Sequence, residues 1–140
     1  MVAEELGCDW DKVTFEFPTP GENARRDRVW KDFGTGGSSG IRRSHQYVRE
    51  GGAAARMMLV QAAANGWDVP LEDCSVDKGV VSHKPSGQSA RFGELVEAAS
   101  KLTPPTEIML KDSQDWITFS HAFEMQLTSI QICILQGPSP

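Results

Sequence analysis

Ile41, Val48, Ala55, Leu59 and Ala62 recur at helical spacing, and the pattern runs to about Asn65 before Gly66. One long helix in a chain of 140 residues fixes most of what the rest can do. Its middle reads Gly51-Gly52-Ala53-Ala54-Ala55. Two adjacent glycines cost ~1 kcal/mol each relative to alanine in an exposed helix interior. The simplest compensation is a neighbouring backbone packed very close to the helix. Arg42, Arg49 and Arg56, seven apart, form a basic stripe beside the apolar face. That stripe reads first as a solvated face and second as an anion site.

Shorter elements flank this helix. Met1–Leu6 predicts a short helix stopped by Gly7. Val13, Phe15 and Phe17 alternate with polar neighbours, which predicts a half-buried strand ended by Pro18 and Pro20. Thr19–Lys31 shows no clear period and reads as a long loop, and Phe33–Gly40 is a glycine-rich turn. Cys74–Asp77 and Val80–His83 around Lys78-Gly79 predict a β-hairpin, followed by a short strand at Gln88–Arg91. Phe92–Leu102 is apolar at 92, 95, 96, 99 and 102 and predicts a helix stopped by Pro104 and Pro105. Ile117–Leu135 fits a helical face in part and strand alternation in part, and the β-branched run Ile130–Ile134 tips its second half toward strand.

The expected fold is α+β, a small single domain with two main helices packed on a short mixed or antiparallel sheet. The sheet is expected to include 13–17, 74–77 and 80–83. With 39% hydrophobic residues the chain can bury a core, about 68% of its unfolded surface at this size. A net charge of −5 and a pI near 5.1 argue against nucleic acid as a partner. No apolar run approaches the ~18–20 residues of a membrane helix. The first residues lack the pattern of a signal peptide. Cys8, Cys74 and Cys133 are odd in number and widely spaced, so a disulfide framework is not expected and the location expected is cytoplasmic.

Candidate chemistry centres on the glycine-rich turn. Gly36-Gly37-Ser38-Ser39-Gly40 matches the G-x-S-x-G nucleophile elbow, but that elbow needs a leading strand and a large parallel sheet. Arg28–Phe33 is mixed and charged, and nothing local brings His83 or His121 to Ser38. As a dinucleotide fingerprint the turn fails because position 39 is serine, and the Gly-Lys-Ser/Thr of a P-loop is absent. What survives is general: a glycine-rich turn feeding a helix presents backbone N–H groups as an anion cradle at the positive end of the helix dipole. Arg42 and Arg43 in the first turn oppose that dipole, which makes sense beside a phosphate or carboxylate; the competing reading is a plain linker. His45, His83, His121 and the three cysteines show no metal-ligand spacing, so no metal site is assigned.

These residues also carry a family resemblance. Glu4-Glu5-Leu6-Gly7 with Asp9-Trp10-Asp11-Lys12-Val13, then Gly34-Thr35-Gly36-Gly37-Ser38-Ser39, Arg42 and Gly51-Gly52-Ala53-Ala54-Ala55-Arg56-Met57-Met58-Leu59 resemble the molybdenum-cofactor-binding large subunit of the xanthine oxidase family. Within that family they resemble the branch of the isoquinoline oxidoreductase β-subunit and related aldehyde dehydrogenases. Val69-Pro70 with Cys74, Gly79-Val80-Val81, His83 and Phe92-Gly93-Glu94-Leu95 continue it, over about residues 1–116. Residues 117–140 read as a divergent tail.

The resemblance implies a molybdopterin cofactor and carbon hydroxylation with an oxygen derived from water, electrons leaving through iron–sulfur partners. Carried over, it implicates Gly34, Gly36, Gly37, Ser38, Ser39 and Arg42 in cofactor binding. The family's subunit is several times longer, and its C-terminal glycine-rich motif with the catalytic glutamate has no counterpart here. No catalytic residue is therefore assigned. The expectation is a truncated, non-catalytic fragment with residual anion or pterin binding; the alternative is a small stand-alone binding or assembly module. Expected partners are a second copy or other oxidoreductase subunits, with neither nucleic acid nor membrane.

Overall fold

The computed structural model describes residues 1–17, 19–28 and 36–117. Gly34, the lead-in 29–33, His121, Cys133 and the stretch 118–135 all lie outside the described residues.

Helix α1 spans Val2–Leu6 and ends where Gly7 turns left-handed at φ 75°, as its sequence predicts. A short helix α2, Pro20–Arg25, stands where a loop was expected. Its start was nevertheless readable: the Thr19 hydroxyl accepts from the Glu22 amide, and Pro20 sits in the first turn. The long helix α3 runs Ser39–Trp67, continuing through Gly66 to a left-handed Asp68. Its 29 residues make a rod of about 44 Å.

Strands β1 (Cys74–Asp77), β2 (Val80–His83) and β3 (Gln88–Arg91) form one antiparallel sheet in the order β1-β2-β3. The β1–β2 turn is Lys78-Gly79, both at positive φ (46° and 77°), the geometry whose twist suits a two-residue hairpin. Gly79 donates to the Gly7 carbonyl and accepts from the Phe92 amide, so one turn ties α1, the hairpin and the next helix together. That helix, α4, covers Phe92–Ala99 and is shorter than the periodicity to Leu102 suggests. Glu94 caps it by accepting from the Arg91 amide at 2.6 Å.

The fold is therefore α+β, as expected, but the sheet is antiparallel throughout and residues 13–17 are not part of it. A strand needs a backbone partner as well as an alternating pattern. Val13 is extended, yet this segment pairs with none of the described residues, and Phe15 and Phe17 are exposed.

The apolar core is at the C-terminal end of α3. Leu59, Ala62 and Ala63 pack on Val81 of β2 and on Leu95 and Ala99 of α4, with Met58, Val60, Trp67 and Phe92 around them. Small side chains on α3 let α4 and the sheet approach closely. The N-terminal half of α3 packs instead on α1, and Gly52 explains how. A Cβ there would lie 2.8 Å from the Val2 carbonyl oxygen and 3.0 Å from the Glu5 Cβ. The expected close backbone is therefore present at Gly52. It is not the reason for Gly51, whose Cβ would meet no described atom within 4 Å.

Candidate functional site

The glycine-serine turn leads directly into α3. Gly36–Ser38 form a single 3-10 turn, with Gly37 at φ 61° and Ser38 at φ 56°, both left-handed. Glycine reaches that region without strain, whereas serine does so at a cost. The left-handed Ser38 followed by helical Ser39 orients successive backbone N–H groups to one side, the geometry of an anion nest. The Ser38 side chain makes no capping hydrogen bond among the described residues, so the first-turn amides keep donor capacity. Gly36, Gly37 and Ser38 are exposed, and a Cβ at Gly36 would meet no described atom within 4 Å. Ser39 is buried and hydrogen-bonded or otherwise engaged rather than open.

Arg42 folds back one turn, its Nε donating to the Gly37 carbonyl at 3.2 Å. This bond holds the turn in shape and keeps an exposed guanidinium beside it. Of the six residues implicated from sequence, the structure brings Gly36, Gly37, Ser38, Ser39 and Arg42 into one turn. Gly34 lies outside the described residues. His83 is not brought to Ser38: it is in β2, its Nδ1 2.7 Å from the Ser86 hydroxyl, and about 30 Å of helix separate Ser39 from the core around Leu59, while His121 lies outside the described residues.

The arginine stripe is solvated at Arg42 and Arg56 and drawn inward at Arg49, and it is not one anion site. Each arginine braces a different connection. Below Arg42, Arg49 is half-buried and donates from Nε to Glu5 Oε1 at 2.7 Å and from Nη2 to the Lys111 carbonyl at 2.7 Å, with Nη2 also 2.7 Å from Glu5 Oε1. Arg56 donates to the Met109 carbonyl at 2.9 Å.

Glu5 is fully buried, and its second oxygen accepts from the Lys111 amide at 3.0 Å. Next to it, Glu4 accepts from the Lys111 ammonium and from the Ile117 amide, each at 3.2 Å. The Trp116 ring lies under the Arg49 guanidinium, 5.0 Å from its centroid. Two carboxylates of a five-residue helix thus strap residues 109–117 across α1 and α3. Nothing in the local pattern of Glu4 and Glu5 marks them as buried, because their partners are 44 to 113 residues away. Gly52, near Arg49, was the available signal: it announced a close backbone at that level of α3.

A cleft of about 300 Å³ opens between α3, β1 and this strap. Met57, Val60, Leu71, Val76 and Met109 make its walls apolar, and its two cations are engaged, Arg56 with Met109 and Lys111 with Glu4. Such a lining does not suit a phosphate-bearing group. Cys74 also lines it; burial first, and the Asp73 carboxylate second, push its thiol above the ordinary value of 9.0, which keeps the nucleophilic thiolate scarce. Among the described residues no group of three His, Cys, Asp or Glu side chains is placed to hold a metal ion, and no helix is long and apolar enough to cross a membrane.

Comparison with known proteins gives a consistent result. Residues 1–131 match the family described as molybdopterin cofactor-binding domain. The chain is 40% identical over 102 residues to the isoquinoline 1-oxidoreductase subunit beta of Brevundimonas diminuta, a stretch covering 69% of this chain and 12% of that protein. It is also similar to the membrane-bound aldehyde dehydrogenase [pyrroloquinoline-quinone] of Gluconacetobacter polyoxogenes, 28% identical over 96 residues, covering 69% of this chain and 11% of that one. The chain spans about an eighth of the length of these curated relatives.

Proposed function

The chain belongs to the molybdopterin cofactor-binding domain family, and from that premise we propose that its turn at Gly36–Ser39, with Arg42, holds the anionic phosphate end of such a cofactor. The observation that carries this is the uncapped start of α3: two consecutive left-handed residues, open glycines and an exposed arginine at the positive end of a long helix. The residues fit the group, since a phosphate wants clustered backbone donors and a guanidinium, and the turn offers both. When bound, the cofactor would supply the oxidative hydroxylation chemistry of its molybdenum centre. The chain's own part is to bind and orient: Gly36, Gly37 and Ser38 through backbone amides, Arg42 through charge while it fixes the Gly37 carbonyl.

Alone, the 140-residue chain acts as a binding element and not as a hydroxylase. Its buried carboxylates Glu4 and Glu5 are committed to the strap, so neither is placed to move a substrate proton. Its natural partners are other segments or subunits of an oxidoreductase, and its setting is the cytoplasm, which the free thiols of Cys8 and Cys74 suit. Calorimetric titration with molybdopterin tests the reading. Binding should weaken about 10- to 100-fold in Arg42→Ala, the loss of one charge-assisted contact. Equal binding by wild type and variant would count against the site, and turnover by the purified chain with an electron acceptor would overturn the non-catalytic assignment.

A further inference from the structure

Residues 109–117 lie against α1 and α3 without joining either by backbone. Among the described residues, no backbone–backbone hydrogen bond connects 103–117 to α1, α3 or the sheet. The bonds that reach this segment's backbone come from charged side chains. Arg56 holds the Met109 carbonyl, Arg49 the Lys111 carbonyl, Glu5 the Lys111 amide and Glu4 the Ile117 amide. None of residues 109–117 is buried, and none belongs to the apolar core or packs against it. Upstream, Pro104 and Pro105 have no N–H to donate, so the approach to the segment has little to break.

We propose that residues 109–117 form a latch that leaves α1 and α3 as one unit while both helices and the sheet stay folded. Met109 and Lys111 leave with it, so opening removes one wall of the apolar cleft lined by Met57, Val60 and Val76.

Such a latch must open without stranding a buried charge, and the bonding here meets that condition. Glu5 keeps Arg49, because the bond from Nε to Oε1 runs between α1 and α3 alone. Glu4 gives up Lys111 and Ile117 but meets water at the same moment. Each bond broken is exchanged for hydration, so its net loss is small. The main apolar cost is the half-buried Trp116 ring coming off the Arg49 guanidinium. Helix α1 stays seated by contacts the latch does not touch, Val2 on Gly52 and the Gly7 carbonyl on the Gly79 amide. Opening the core at Leu59 and Val81 has no comparable compensation, since it exposes apolar surface. The latch therefore opens far more often than the protein unfolds.

Amide exchange of the full 140-residue chain, followed by NMR at several urea concentrations below the unfolding transition, tests this. After correction for intrinsic rates, the Lys111 and Ile117 amides should show one shared opening. It should occur at least about 10-fold more often than that of Val81 and depend little on urea, because little surface is exposed. Two variants separate the latch from the alternatives. Leu59→Ala weakens the closed and open forms alike, so Val81 should exchange more than about 10-fold faster while Lys111 and Ile117 keep their wild-type opening. Arg56→Ala removes the Met109 contact and should speed Lys111 and Ile117 together, by about 2- to 10-fold. Lys111 and Ile117 following Val81 in urea or in Leu59→Ala would overturn the proposal, since they would then exchange only by global unfolding. So would Arg56→Ala moving Lys111 and not Ile117, which is piecemeal fraying, or both amides lacking protection in the wild type, a strap that never closes.

Discussion

From Leu59 onward, α3 is held by carbon: Leu59, Ala62 and Ala63 close against Val81, Leu95 and Ala99, and the contacts are non-directional. Between Arg42 and Arg56 the same helix is held by guanidinium groups reaching carboxylates and carbonyls. The first kind of contact tolerates exchange of one apolar side chain for another of similar volume. The second does not where Arg49 meets Glu5, because removing the arginine leaves a buried carboxyl without its counterpart. A helix held this way has a rigid floor at one end and a specified geometry at the other. The specified end is the one that carries the glycine-serine turn.

That contrast can be broken or sharpened by mutation. Arg49→Ala should have the largest effect, about 3–5 kcal/mol, because Glu5 is then left buried without its cationic partner. Urea denaturation reads the loss, and amide exchange should accelerate first in 109–117, the segment that Arg49 and Glu5 hold. If Arg49→Ala costs no more than a surface substitution, the polar half is not held as described. Leu59→Ala in the apolar half should cost about 2–5 kcal/mol through cavity formation, with exchange rising around the hairpin and α4 rather than in the strap.

The adjacent glycines should give opposite signs. Gly52→Ala forces α1 away from α3 and should destabilise by about 1–3 kcal/mol, whereas Gly51→Ala, with open space around it, should stabilise by up to about 1 kcal/mol. Thermal melts of the two variants decide this, and equal effects would remove the close-approach explanation. The smallest effect concerns pH. The Cys74 thiol is raised in the folded state, so its contribution is fully present below the ordinary value of 9.0 and is lost as pH rises through the folded value. Cys74→Ala should therefore flatten the alkaline limb of a stability–pH curve; an unchanged limb would contradict the assignment.

The same contrast explains what the sequence made legible. Apolar spacing located α3, α4 and the hairpin, and Lys78-Gly79 announced its turn, because these signals are local and periodic. Gly52 pointed to a close neighbour but could not say that α1 was that neighbour. The strap was invisible: Glu5 and Lys111 meet across 106 residues, and adjacent glutamates on a short helix look like solvent-facing charge. The solvated reading of the arginine stripe failed at Arg49 for the same reason, since spacing reports a shared face and not what covers it. Thr19-Pro20-Gly21-Glu22 was a readable helix start, overlooked because no apolar period follows it. Alternation at 13–17 described a face correctly and overstated the structure, because pairing depends on a second strand. For the turn itself, only the composition was legible; the left-handed pair at Gly37 and Ser38 and the return of Arg42 onto Gly37 leave no local pattern.

The most direct test of the cradle is an amide-resolved NMR titration of the chain with inorganic pyrophosphate, which carries the anionic chemistry of the cofactor's phosphate end without its pterin. The account predicts saturable shifts in the amides of Gly36 through Arg43, weakening as salt is raised, with the apolar core around Leu59 and Val81 unmoved. No shift at the turn, or shifts centred on the apolar cleft beside Met57 and Val76, would contradict it.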